Sequence, residues 1–524
     1  MSTKTDESKC ESATEVVESS CNLEDTIKPS DEFLQVFKLT LSFSKDQSNF
    51  SKKQIRTIEI KMDKLFHKVI NSQDTKFEDI VTLAYSCQYL CFAYIKSDQT
   101  KNLSAAKDSI LRCFHLLKDK QVDSKIILVT LKAYNLLSHI YHNQKKLENA
   151  IEILDNARDL YLIYMEEYNE HDIPIDYEDI IIKPSVQING FLKLKSLYRN
   201  ILQTSTDIHI KMRSKTSESF MLCRHLILVD ELNYLQTPEN CIQWIEMAMS
   251  VCSNLITCNR FAEAKNYIEQ SYVVQAALYT KYVDSKKKGL SSKTSIIFTQ
   301  YITMMKLIML CYLRYAATLI CQSVKRLLRL EKNIDSKTNI SITKKLSKSE
   351  GRASRRLLLF YQNVEEYFNT NSYHAIPFTY ILKYNEAQKQ FVKILNVIYN
   401  SGLHLHFVEE VNFCIQTKLY VSNMYKYMAF YEKDTATQFL LRKRRAEILE
   451  TSANIIRNTN DVKLLRFLWL QLTIAYSTLI DMKLEDIEAA SLSYLSQRHD
   501  TFVGEINVLV SKSLIFLQKY MYYK

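Results

Sequence analysis

The chain has 524 residues, 47% of them hydrophobic, so it can bury a large core and is no disordered linker. Glycine and proline occur only five times each, against averages of roughly 7% and 5%, which excludes Gly-rich phosphate loops and disfavours sheets joined by tight turns. A net charge of +11, from 69 basic and 58 acidic residues, is mild for this length and permits a polyanionic partner without arguing for one.

Residues 1–30 are rich in Ser, Glu, Asp and Lys and read as a disordered tail. Their polar start, "MSTKTDESKCESATEVVESS", has the pattern of neither a signal peptide nor a transit peptide. "PSDEFLQVF" then opens a helix, with Ser30 or Asp31 as its cap. From 31 to about 280, helical apolar stripes alternate with short polar breaks. In "AYNLLSHIYHNQKKLENAIEILDNARDLY" (133–161) the break is predicted at His142–Lys146. Tyr134, Leu137, Ser138 and Tyr141 stripe the helix before it; Leu147, Ala150, Leu154 and Ala157 stripe the one after. Alternating large and small residues let two antiparallel helices interlock, the tetratricopeptide (TPR) arrangement.

The register recurs in 248–271, where Ala248, Val251, Cys252 and Leu255 precede Phe261, Ala264, Ile268 and Ser271. Residues 103–113 echo only the second helix, through Leu103, Ala106, Ile110 and Cys113, and 471–490 is a weaker echo. Residues 281–356 form a different region. "VDSKKKGLSSKTS" (283–295) reads as a loop, about 296–330 as one long helix, and 331–356 as a Lys/Ser-rich linker. Lys306 and Arg314 interrupt the long helix, whereas a bilayer span needs about 20 predominantly apolar residues. It reads as a buried helix, with no membrane insertion. Helical repeats resume over 357–524. The fold class is all-α, a right-handed TPR-like helical-hairpin solenoid with degenerate repeats. A plain helical bundle is the alternative; the coincidence of break spacing and small residues in two places favours the stack.

Catalytic and cofactor motifs are missing from this pattern. With glycines only at 190, 289, 351, 402 and 504, no P-loop, dinucleotide fingerprint or G-x-S-x-G elbow can form. The twelve cysteines include no C-x-x-C and read as reduced, buried thiols. His404 with His406, and His139 with His142, lack a third ligand at a supporting spacing. The expectation is a non-enzyme without cofactor, metal or small-molecule substrate.

Charge clusters and exposed faces are what remain. "KKK" (286–288) and "RKRR" (442–445) have no interleaved aromatics and read as solvated faces. "EEYNEHDIPIDYED" (166–179) carries seven carboxylates, among them Glu166, Glu167 and Glu170; it is either an ordinary solvated loop or an acidic lip for a basic partner. On 238–252, Trp244, Ala248 and Val251 make a packing stripe, leaving Gln243, Glu246 and Ser250 on another face.

Three stretches in order resemble the KIF-binding protein family, the kinesin-binding proteins of animals. Two are the hairpins beginning at Ala133 and Cys241. The third, "MAFYEKDTATQFLLRKRRAEILE" (428–450), carries the weight, because it is not a TPR consensus. There Ala429, Phe430, Glu432, Asp434, Lys443, Arg444, Arg445, Leu449 and Glu450 match the family's pattern, and the likeness runs from about 80 to about 490. The resemblance implies a non-catalytic, cytoplasmic protein that binds kinesin motor domains and blocks their attachment to microtubules. It implies roles in microtubule organisation, axon growth and mitochondrial transport. Partner contacts are then expected at Glu166, Glu167, Glu170, Gln243, Glu246 and Ser250, and "RKRR" is expected to brace Glu447 and Glu450 rather than bind nucleic acid. A general TPR adaptor for peptide tails, or an RNA-binding helical repeat, are the competing classes.

Overall fold

The computed structural model describes residues 29–46, 51–72, 74–96, 102–118, 121–167, 173–176, 178, 181, 189–235, 237–287, 291–331, 357–360, 377, 379–400, 411–456, 461–489 and 492–522. Sixteen helices and no strand occur among them. The chain divides into two compact units, Met1–Ser214 and Lys215–Lys524.

The first unit holds α1 (Asp31–Lys45), α2 (Lys52–Asn71), α3 (Phe77–Lys96), α4 (Asn102–Leu116), α5 (Ile127–Asn143), α6 (Leu147–Glu167) and α7 (Gly190–Lys211). Helices α3 with α4, and α5 with α6, pack as hairpins; α1 lies on α3, and α7 on α6. Ser30 precedes α1, but its side chain does not cap it. Its amide and hydroxyl both donate to the buried Asp79 carboxylate of α3, at 2.6 and 2.8 Å.

The second unit holds α8 (Glu218–Leu232), α9 (Pro238–Thr257), α10 (Phe261–Lys287), α11 (Ser291–Glu331), α12 (Tyr384–Asn400), α13 (Val411–Tyr431), α14 (Thr435–Ile456), α15 (Val462–Ala489) and α16 (Leu492–Tyr522). Hairpins α9/α10, α13/α14 and α15/α16 pack in sequence, with α11 against α9, α10 and α13. Successive hairpins stacked in this way make an all-α helical-hairpin solenoid.

The small residues act as the spacing requires. Ser138, Ala150 and Ala157 in the first hairpin, and Ala248, Cys252, Ala264 and Ser271 in the second, are fully buried. A larger side chain there would force the helices apart. Trp244 is buried in the core of the second unit, and its indole N–H donates to the Leu228 carbonyl at 2.9 Å. Burying such a side chain contributes about 2–3 kcal/mol.

The turns explain how the chain manages with so few glycines. Lys145, Arg213 and Asn259 stand at φ of 60°, 58° and 59° just past the ends of α5, α7 and α9. In each case the next residue's amide reaches back to a carbonyl of the last turn: Lys146 to Tyr141 at 2.9 Å, Ser214 to His209 at 3.0 Å, Arg260 to Leu255 at 2.9 Å. These are Schellman endings built without glycine. The first break falls at Gln144–Lys146, within the predicted His142–Lys146.

Two sequence expectations are corrected. Residues 283–287 and 291–295, read as loop, belong to α10 and α11, because α11 begins at Ser291 and runs 41 residues. The stretch 471–489 lies inside the single helix α15 and does not cross a turn. The boundary between the two compact units falls at Ser214, within the region 31–280. The tail at 1–28, the linker at 332–356, and His404 with His406 lie outside the described residues. By length and hydropathy alone, Ile296–Leu330 of α11 could cross a bilayer. In the structure its Met304, Ile308, Tyr315, Leu319 and Ile320 are core residues of the second unit.

Candidate partner-binding surface

The acidic stretch at 166–179 does not behave as one lip. Glu166 is exposed at the end of α6. The Glu167 side chain and Glu170 lie outside the described residues. Asp176 turns inward and is only 7% exposed. Its carboxylate accepts from the Tyr85 hydroxyl at 2.7 Å, from Lys193 at 2.9 Å, from Lys132 at 3.3 Å and from the Glu178 amide at 3.1 Å. Glu178 in turn takes Lys132 at 2.7 Å and the Tyr89 hydroxyl. Burial works to raise the Asp176 carboxyl, but the two lysines and the tyrosine hold its pKa below the ordinary value.

Gly190, the first residue of α7, supports this inward loop. A Cβ there would overlap the Pro174 carbonyl oxygen, so only glycine lets the loop lie against the helix start. Two of the seven carboxylates are therefore structural, which the sequence reading as a lip or solvated loop did not anticipate. Their partners Tyr85, Tyr89 and Lys132 lie on distant helices, and nothing local to 166–179 marks them.

In the second unit, Gln243, Glu246 and Ser250 are exposed along one face of α9, with Trp244, Ala248 and Val251 buried on the other. Exposed Glu239 extends the stripe by one turn. Helix α11 runs alongside: the Gln300 amide donates to Glu239 at 3.1 Å, and Arg314 donates to the Thr257 hydroxyl at 3.0 Å. The result is a polar strip flanked by a second helix and held rigid by the core behind it. Its groups can hydrogen-bond and pair with cations. Glu166 belongs to the first unit and the α9 stripe to the second.

A feature the sequence did not disclose lies behind α9. Residues 357–360 are extended and dock on α10. The Leu358 amide donates to Glu263 at 2.8 Å, and the Phe360 amide donates to the Asn266 side chain, whose NH₂ returns a bond to the Phe360 carbonyl at 3.3 Å. The Phe360 ring sits among Trp244, Tyr267 and His225, with centroids at 5.5, 4.9 and 5.1 Å. Partners some 94 positions apart leave no local pattern to read.

The stretch 428–450 joins α13 to α14. Glu432 accepts from the Tyr384 hydroxyl at 2.5 Å and from the Lys433 amide at 2.9 Å. Asp434 caps α14 by accepting from the Thr437 amide at 2.9 Å. Arg444 pairs with Glu447 at 2.9 Å, as expected. Glu450 is not braced by "RKRR"; it pairs with Lys512 of α16 at 3.0 Å and accepts from the Tyr476 hydroxyl at 2.7 Å. Arg445 is buried and bonded to an amide.

Among the described residues, no group of three His, Cys, Asp or Glu side chains could hold a metal ion. His142 is bonded to Lys211 at 2.9 Å.

The chain is similar to three curated proteins, each named KIF-binding protein. That of Danio rerio is 20% identical over 440 residues, covering 81% of this chain and 66% of the relative. That of Gallus gallus is 21% identical over 418 residues, covering 74% and 65%. That of Drosophila melanogaster is 21% identical over 426 residues, covering 78% and 66%. The chain thus spans slightly under two thirds of these relatives' length. A solved "Circular tandem repeat protein with novel repeat topology and enhanced subunit contact surfaces" aligns over 92% of this chain and 97% of its own, at 9% identity. Its TM-score of 0.21 is too low for a shared fold. The family model described as "KIF-1 binding protein C terminal" matches residues 242–523, more than half of the chain and every helix from α10 to α16. With the stretch at 428–450 inside that match, the chain belongs to the KIF-binding protein family.

Proposed function

We propose that the protein binds kinesin motor domains and keeps them off microtubules, acting by covering a surface and not by a reaction. Family membership is the observation that carries this reading, because the relatives bear the name KIF-binding protein. The positions we assign to the partner are two separate sets, each within its own unit: Gln243, Glu246 and Ser250 on α9, and Glu166 with its sequence neighbours Glu167 and Glu170. A kinesin meets the acidic microtubule through basic side chains, so the exposed carboxylates of Glu166 and Glu246 suit it. The net charge of +11 opposes simple charge matching, so local complementarity must supply the specificity. The protein would then act in the cytoplasm, at the cytoskeleton, in microtubule organisation and in axonal and mitochondrial transport.

Co-sedimentation of a purified kinesin motor domain with microtubules, with and without the full chain, tests the reading. The motor should move from pellet to supernatant as the chain is added. Glu166→Lys with Glu246→Lys should reverse that shift and flatten its salt dependence. A motor that stays on the filament at saturating protein refutes the proposal.

A further inference from the structure

Arg445 stands apart from the rest of its basic run. Lys443 and Arg444 are exposed, and Arg444 has a carboxylate. Arg445 is only 5% exposed. Its Nη2 donates to the neutral Gln471 Oε1 of α15 at 3.1 Å, and its buried Nε has no acceptor. Among the described residues no carboxylate pairs with it: Glu447 serves Arg444, and Glu450 serves Lys512 and Tyr476. Lys426 and Arg442 nearby carry the same sign. Burial pulls the Arg445 pKa below its ordinary value, opposed by the Tyr427 hydroxyl and aided to a lesser degree by Arg442. A guanidinium buried without an anion is a destabilising choice for folding alone.

Gln471, whose side-chain oxygen accepts from Arg445, also lines a cavity, and Arg445 itself does not line it. Gln471 lines a half-open space of about 210 Å³ between α13 and α15, with Gln416 and Asn423 as further polar groups and Leu419, Leu449 and Phe467 as apolar ones. Phe467 and Ile474, on the same face of α15, are 46% and 45% exposed. The Nε and Nη2 of an arginine form the fork that a carboxylate fills with two parallel hydrogen bonds. Here one prong is empty and the other holds only an amide oxygen.

We propose that this cavity docks an acidic–apolar peptide segment of a partner protein. One aspartate or glutamate displaces the Gln471 amide and takes both prongs of Arg445, while a neighbouring bulky apolar residue packs on Phe467 and Ile474. The apolar lining favours a peptide carboxylate over a free phosphate, which needs cations and donors on every side. The site is independent of the motor-binding reading and stands on the second unit alone.

The test selects phage-displayed random short peptides on the full chain and measures the enriched sequences by fluorescence anisotropy. Enriched peptides should place Asp or Glu beside Leu, Phe or Trp. Changing that acid to its amide, or Arg445→Met in the protein, should weaken binding about tenfold or more, the scale of one bidentate charged contact. Arg445→Lys should retain part of it. The free Arg445→Met protein should melt no lower than the unsubstituted chain, since the lost charge had no counterion. The proposal is overturned if no acidic peptide is enriched, if Arg445→Met binds equally well, or if inorganic phosphate displaces the peptides. It is equally overturned if Arg445→Met melts well below both the parent and Arg445→Lys, because the arginine is then a brace.

Discussion

Asp176→Asn separates the structural acids of the 166–179 stretch from the exposed ones. The substitution keeps the shape and removes the charge from a carboxylate that faces Lys132, Lys193 and Tyr85. Stranding a buried charge typically costs about 3–5 kcal/mol. Two features reduce that here. Lys132 keeps Glu178 at 2.7 Å, and the Lys132 and Lys193 side chains are 29% and 24% exposed. The expected loss is about 2 kcal/mol at pH 7. The sign follows from the depressed carboxyl: its contribution is full above the unfolded pKa of about 3.9 and is lost as pH falls through the lower folded value. Urea unfolding followed by circular dichroism should show the deficit at pH 7 and its decline as pH falls below the ordinary carboxylate range. Hydrogen exchange should place it on α5, α7 and residues 173–176. A variant as stable as the parent at pH 7, or one whose deficit persists unchanged at pH 3, refutes the reasoning. The result bears on function, because a motor-binding defect in Asp176→Asn would report a collapsed loop and not a lost contact.

Other outcomes follow from the turns and the core. Lys145→Gly relieves a left-handed backbone at the end of α5 and should stabilise the protein by about 1 kcal/mol, read as a higher urea midpoint for the first unit. His225, buried with its Nδ1 2.8 Å from the Tyr267 hydroxyl, is pushed by burial to a pKa of about 4. The unfolded chain binds its proton near pH 6.5 and the folded chain does not until near 4, so stability should fall by about 3 kcal/mol as pH drops across that window. His225→Asn should flatten the dependence between pH 6.5 and 4, and an imidazole resonance titrating near 6.5 would contradict the assignment.

Much of the helical architecture could be read in advance, and the reason is periodicity. Ser138, Ala150, Ala157, Ala248 and Ala264 recur at helical spacing because each lies where two adjacent helices touch, and a contact between neighbours in sequence leaves a local trace. The boundaries were less legible. Polarity and Gly289 argue for a loop in "VDSKKKGLSSKTS", yet lysine and serine cost a helix little, and 283–287 and 291–295 are helical. Contacts between distant segments left no trace at all. Asp176 reads as one carboxylate among seven until Lys132 and Lys193 converge on it, and Leu358 and Phe360 look like any apolar pair until Glu263 and Asn266 take their backbone.

Several residues of the family-like stretch serve the fold. In 428–450, Glu432 and Asp434 close the α13–α14 turn, Ala429 and Leu449 are buried, and Glu450 clamps α15 and α16 through Tyr476 and Lys512. Each of these positions makes a contact that the hairpin dictates. Exposed positions such as Gln243, Glu246 and Ser250 face no such constraint from folding. Any choice of polar residue there leaves the hairpin intact, so the face is free to follow whichever partner it meets. Arg445, in the same stretch, is buried and yet lacks the counterion that burial demands. A residue held in the core at a cost to stability is where architecture and recognition can coincide, and substituting it tests both at once.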